Sequence, residues 1–376
     1  MRNNISINII ALTFMPFAIL ISQGEFEEYK RQQEKEFSEY EESVTQQYKQ
    51  FELEEKLAFE QYKREVEEKW EEFKSPSKKE YVQYSENKES RASVDFENGT
   101  VTIEVLVKED KESEESVMVN EKLQKSVQSL INTDGEDGKP LLAKQLESPV
   151  AGEVTPGNIS KISKELIKKE NIIIDADHKG TDDHKRVKYM VIIPLKENHL
   201  SERAKRYEKI VIKYSKKFKV DPAIVFAVIE TESAFNPKAK SHIPAYGLMQ
   251  LVPKSGARDA YLYVYKKDKY LSKRYLYTPE NNIKLGCAYL AKIRYVYYRD
   301  ITDDENAYIC TIPAYNTGIG NVSKTLSGTT KLKPAAEVAN NMASEELYNK
   351  LVKELKYKEA RDYLQRVWER KDKYKI

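Results

Sequence analysis

Cysteine and histidine are scarce in this chain of 376 residues, which holds 2 and 4 of them. The histidines, His178, His184, His199 and His242, are scattered without ligand-like spacing to either cysteine, which argues against a metal site. No other cofactor is expected. Net charge is nearly absent as well, since 63 basic side chains against 61 acidic ones leave only +2. Phosphate binding needs a basic excess or a clustered basic face, so nucleic acid is not expected as a partner. Long hydrophobic runs are also missing. The one apolar stretch, Ile9 to Ile21, is too short to cross a bilayer comfortably. With Arg2 before it and Ser22-Gln23-Gly24 after it, it reads as an export signal over residues 1–24, an uncleaved anchor being the alternative. No cysteine stands near its end, so lipid attachment is not expected there.

The two cysteines, Cys287 and Cys310, sit in apolar stretches, and burial as free thiols is favoured over the disulfide that export would permit. Tryptophan is scarce too, at 2, while tyrosine reaches 26. Tyrosine suits a carbohydrate groove and a core equally, so its excess decides nothing alone. Charged residues make up 33% of the chain against 40% hydrophobic, enough to imply a long solvated segment.

That segment lies at residues 25–75. Aromatic residues recur every eleven positions at Phe26, Phe37, Tyr48, Phe59 and Trp70, and a second series follows three behind at Tyr29, Tyr40, Phe51, Tyr62 and Phe73. Eleven residues in three turns keep one stripe on one face of a long helix and favour a gentle right-handed supercoil. Such a stripe cannot bury itself, so residues 25–75 should self-associate, fold against their own domain, or meet a partner protein or a membrane surface, with self-association favoured and Ser75-Pro76-Ser77 ending the helix.

Residues 76–198 read as a small α+β module. Ala92, Val94 and Phe96 alternate with polar residues, Asn98-Gly99 follows, and Val101 to Val107 alternates again, the pattern of a β-hairpin. Residues 108–131 and 159–171 look helical, 132–158 reads as a loop, and Lys188 to Leu195 as a further strand. From residue 199 to 376 the pattern is helical. Asp221-Pro222 opens a helix that is apolar all round from Ala223 to Ile229 and so should be the buried centre of its domain.

That helix ends in Glu230-Thr231-Glu232-Ser233. Burial and the negative end of the helix dipole both raise a carboxylate's pKa there, and an acid protonated near neutrality is what protonation of a glycosidic oxygen requires. Two exposed acids in a last turn are the plainer reading, and periodicity cannot choose between Glu230 and Glu232.

The next residues choose by resemblance. Glu232-Ser233-Ala234-Phe235-Asn236-Pro237 leading to Gly247-Leu248-Met249-Gln250 resembles the first motif of the soluble lytic transglycosylase (SLT) family. Pro279-Glu280-Asn281-Asn282-Ile283 with Gly286 and Tyr289-Leu290 resembles the second, and Ala314-Tyr315-Asn316-Thr317-Gly318 the third. Three motifs in order over about a hundred residues are specific where each alone is not. The likeness extends through Arg361 to Val367 and back to Phe96-Glu97-Asn98-Gly99-Thr100.

The resemblance implies a mainly α protein: a lysozyme-like α catalytic domain, preceded by a small α+β domain and the long N-terminal helix. It implies Glu232 as the catalytic acid and base, with Ser241, Met249, Gln250, Tyr289 and Tyr315 binding substrate and Tyr315 hydrogen-bonding near Glu232. Asn316 joins that set, although it, like Gly247 and Gly318, suits a structural role better. Peptidoglycan glycan strands are the implied partner. Cleavage between N-acetylmuramic acid and N-acetylglucosamine would leave a 1,6-anhydro ring, in agreement with the lack of an obvious second carboxylate in these motifs. A muramidase with the same site and a non-catalytic wall-binding scaffold are the alternatives. Two departures stand out. Pro313 should kink the helix before Tyr315, and His242-Ile243-Pro244 fills a stretch that is glycine-containing in many relatives.

Overall fold

The computed structural model describes residues 23–108, 115–167, 171–182, 184–241 and 244–375. The expected export signal falls outside these residues apart from Gln23 and Gly24, as do His242 and Ile243. The chain divides into two units, Met1–Arg64 and Glu65–Ile376. The first is described by helix α1, which begins at Gln23 and runs to Glu67. The side chains of Phe26, Tyr29, Phe37, Tyr40, Tyr48 and Phe51 lie outside the described set.

The helix stops eight residues short of the expected end. The turn before β-strand 185–194 takes its last carbonyls, Thr181 donating to Glu67 at 2.9 Å and Asp182 to Glu68 at 3.3 Å. The final aromatics of the eleven-residue series then leave the helical stripe. Trp70 is buried beneath the Arg91 guanidinium, 4.3 Å from its ring centre, and donates its indole N–H to the Lys88 carbonyl. Phe73 stacks on Tyr84. Sequence period lost here to tertiary packing.

The module after it is a five-stranded antiparallel sheet in the order β1-β2-β3-β7-β6. In chain order its elements are β1 (Glu80–Tyr84), β2 (Ser90–Asp95), β3 (Thr100–Lys108) and α2 (Glu115–Ile131). There follow the short pair β4 (Glu147–Ser148) and β5 (Gly152–Glu153), then α3 (Ile159–Leu166), β6 (Ile173–Lys179) and β7 (Lys185–Pro194). The predicted hairpin is β2–β3, with Ala92 opposite Ile103 and Val94 opposite Val101. Its loop is four residues, Phe96 to Gly99, because the Asp95 carboxylate accepts from the Glu97 and Asn98 amides and holds the turn open. One sheet face is apolar and packs on Leu123, Val127 and Leu130 of α2. The other is built on a buried two-point pair between Arg91 and Glu104, at 2.6 and 2.8 Å.

The helical domain follows from α4 (His199–Phe218) and α5 (Pro222–Ser233) through α6 (Gly256–Tyr265), α7 (Lys273–Tyr277), α8 (Pro279–Lys292) and α9 (Asp304–Thr317). It closes with α10 (Ile319–Ser327), α11 (Leu332–Asn340), α12 (Ser344–Glu354) and α13 (Lys358–Arg370). Asp221 caps α5 as expected, its side chain accepting from the Ala223 amide at 2.8 Å, and every residue from Ala223 to Ser233 is buried. α9 is continuous across Pro313. Cys287 and Cys310 are buried free thiols, and burial pushes both up to about 12.

Module and helical domain meet around Arg203 of α4. Its guanidinium donates to the Phe96 carbonyl at 2.5 Å, to Gln145 Oε1 at 2.6 Å and to the Ala234 carbonyl at 3.0 Å. His199 lies one turn earlier, its Nδ1 3.0 Å from the Arg203 guanidinium, so that nitrogen accepts and the ring is neutral. Burial first, then the Arg203 charge, brings its pKa down to about 4. The unfolded chain takes up this proton first as pH falls from about 6.5, so the His199 contribution to stability should decline between there and about pH 4 and level off below. Allowing for partial solvent access, the loss is about 2 kcal/mol. Urea midpoints measured against pH should show this slope in the wild type, and His199→Gln should reduce it, leaving the part that buried His178 contributes in the same direction.

Candidate active site

α5 ends where the site begins. Ala234 and Phe235 both take left-handed backbone, φ +48° and +60°, and turn the chain sharply past Glu232. Ser233 fixes that turn, donating its hydroxyl to the Ile229 carbonyl at 3.0 Å and the Leu248 carbonyl at 2.8 Å. Asn282 of α8 fastens the next loop by accepting from the Met249 amide and donating to the Tyr246 and Leu276 carbonyls. Gly247 is required there. It sits at φ +75°, and a Cβ would stand 2.5 Å from the Leu276 carbonyl oxygen. The first two motifs therefore clamp each other across α5 and α8.

Between them lies a cleft of about 810 Å³ that Glu232, Ser241, Gln250, Tyr289, Tyr315 and Asn316 all line. Met249 does not reach it. Its side chain is fully buried against Gly286, where any Cβ would collide with the Met249 sulfur, so it acts as packing. Tyr289 and Tyr315 form one wall, ring centres 5.3 Å apart. Tyr315 does not donate to Glu232: its hydroxyl goes to the Met249 carbonyl at 2.8 Å. Gln250 holds a left-handed backbone, φ +46°, with its amide N–H groups on the Ala239 and Gly247 carbonyls. Its buried Oε1 has no hydrogen-bond partner among the described residues. Strain and an unused acceptor in a cleft are features of a binding site.

Glu232 is 5% exposed at this cleft. Burial raises its carboxyl above the usual range, outweighing the ammonium of Lys78 and the hydroxyl of Tyr363, which pull the other way. Lys78 Nζ lies 3.6 Å from Glu232 Oε2. Tyr363 of α13 is buried beside the carboxyl, with its hydroxyl close enough to favour the charged form. The neighbouring acid has another fate. Glu230 accepts from Lys373 at 2.9 Å and Tyr374 at 2.6 Å, and Arg370 lies 3.1 Å away.

Sequence reasoning missed three groups at this site: Lys78, Tyr363 and Glu359, an exposed acid of α13 on the rim of the cleft. Only Tyr363 left a trace, inside the resembling stretch Arg361 to Val367.

Comparison with known proteins covers both parts of the chain. Residues 209–338 match the transglycosylase SLT domain family, and residues 44–206 match the N-terminal domain family of membrane-bound lytic murein transglycosylase C. The chain is 31% identical over 294 residues to membrane-bound lytic murein transglycosylase C of Klebsiella pneumoniae subsp. pneumoniae, covering 76% of this chain and 79% of that one. Against the protein of the same name from Photorhabdus laumondii it is 30% identical over 289 residues, covering 76% and 80%. The solved 70 kDa soluble lytic transglycosylase of Escherichia coli is 26% identical over 47% of this chain and 25% of that one, with a TM-score of 0.35.

Proposed function

The chain belongs to the membrane-bound lytic murein transglycosylase C family, and from that membership we propose that it cleaves the β-1,4 bond between N-acetylmuramic acid and N-acetylglucosamine and leaves 1,6-anhydro ends, with Glu232 as its acid and base. The observation that carries this reading is the Glu232 carboxyl, nearly excluded from water and with its pKa raised by that burial, facing a cleft large enough for sugar rings.

The proposed cleavage needs one protein carboxyl and two groups of the substrate itself. Glu232 gives its proton to the glycosidic oxygen, and the bond to the leaving sugar breaks. The substrate's own acetamido oxygen supports the positive charge at C1. The Glu232 carboxylate then takes the proton of the 6-hydroxyl as that oxygen closes on C1. The acid is regenerated and no water is consumed. Tyr289 and Tyr315 offer a wall for sugar faces, and the free Gln250 Oε1 an acceptor for an N–H or hydroxyl of the glycan.

A second reading has one observation in its favour. Glu359 also lines the cleft, so a second carboxylate is at hand for the two-acid hydrolysis of a muramidase. Mass spectrometry of sacculi digested with the purified protein separates them. Products lighter by one water are expected, and hydrated reducing ends as the main product would transfer the assignment to hydrolysis. The relatives are named as membrane-bound, and we place this chain's work in the cell envelope as well.

A further inference from the structure

The sheet module sends one side chain into the cleft. Lys78 precedes β1, and its ammonium is the cation paired with Glu232, at 3.6 Å. The residues around it are fastened to both ends of the same acidic stretch. On one side, the Lys78 carbonyl accepts from Asn236 Nδ2 at 3.4 Å, four residues beyond Glu232. On the other, Lys79 pairs with Glu97, Glu97 pairs with Arg370 at 3.2 Å, and Arg370 reaches Glu230 and the Thr231 hydroxyl, just before Glu232. A lysine on a loose surface segment would have no such framework.

We infer that Lys78 is a positioning residue for the proton transfers: it holds the Glu232 carboxylate during the interval without its proton, and it sets the pH at which that proton is lost. This rests on the reading of Glu232 as acid and base. The other groups facing Glu232 are Tyr363 and Glu359 from α13 and Tyr315 from α9. Lys358 lines the same cleft but pairs with Asp362 at 2.6 Å.

In the resting state burial dominates and favours the protonated acid. Once the proton passes to the glycosidic oxygen, a negative charge stands in a cleft filled by substrate, where water no longer screens it. The ammonium of Lys78 is then its counter-ion. The charge disappears when the carboxylate takes the 6-hydroxyl proton, so the lysine is never consumed and no further reactant is needed.

The test uses the full chain and the pH dependence of kcat/KM for release of soluble fragments from sacculi, whose alkaline limb follows the proton on free Glu232. Lys78→Met should move that limb up by about one pH unit, the size expected for loss of a partly exposed counter-ion, and lower the maximal rate about tenfold. Lys78→Arg should restore the limb. Lys358→Met should leave it in place, whatever its effect on the rate. Thermal melting checks that Lys78→Met is folded, and Lys78→Gln serves if it is not. A slower enzyme with an unmoved limb, or an equal movement in Lys358→Met, overturns the inference. Either result leaves wild-type lysis intact, whereas failure of the catalytic reading shows as a Glu232→Gln variant that still lyses.

Discussion

Glu232→Gln should lower the release of glycan fragments by roughly 10²- to 10⁴-fold, the range in which a positioned general acid contributes. Glutamine has nearly the shape of the protonated acid and fits beside Tyr363 without altering the α5 turn. It has no proton to give and no charge to reclaim one. Binding to sacculi should therefore survive while lysis stops, and a pull-down beside a turbidity assay reads both. The scaffold alternative expects the opposite pattern, a wild type that binds without lysing and a variant that does the same. Lysis by the variant at a rate near wild type would move the acid elsewhere, with Glu359 the next carboxyl in the cleft.

The second large effect belongs to Arg203. Arg203→Met should destabilise the folded chain by about 3–5 kcal/mol, because it removes one cation from three oxygens in a dry place. Phe96 and Gln145 belong to the module, and Ala234 is the left-handed residue two past Glu232. Methionine fills the space but leaves all three acceptors buried without donors. The burial is severe enough to bring the guanidinium down to about 9. Urea unfolding gives the magnitude. Since Ala234 loses its anchor, lysis at low urea should fall ahead of global unfolding. A variant with the wild-type midpoint and activity would show that module and domain are joined by other contacts.

The parts of this protein legible in its sequence are those whose causes lie within a few residues. Asp221-Pro222 and the apolar run behind it specify α5 locally, and the structure follows. The alternation of Ala92, Val94, Val101 and Ile103 specifies β2–β3, although Asp95 widens the turn beyond what Asn98-Gly99 suggests. The end of α1 was hidden because Trp70 answers to Arg91 and Lys88, partners that periodicity does not see. β1 and β6 were missed for a related reason. They are the sheet's edges, with no fully buried face to impose alternation on Glu-Tyr-Val-Gln-Tyr or on Ile-Ile-Asp-Ala-Asp. In the cleft, the motifs brought in Ser241, Gln250, Tyr289, Tyr315 and Asn316 around Glu232 but overreached at Met249, whose motif position serves Gly286. Lys78 is one of 63 basic residues and Tyr363 one of 26 tyrosines. Only the folded chain singles them out.

The charge cluster on Glu230 bears on any shortened version of this enzyme. A fragment trimmed to residues 209–338 would retain every motif yet shed Arg370, Lys373 and Tyr374. Glu230 would then stand as a buried carboxylate stripped of the three groups that hold it, at the end of the helix that presents Glu232. The last turn of the chain thus anchors the far end of α5 from more than a hundred residues away.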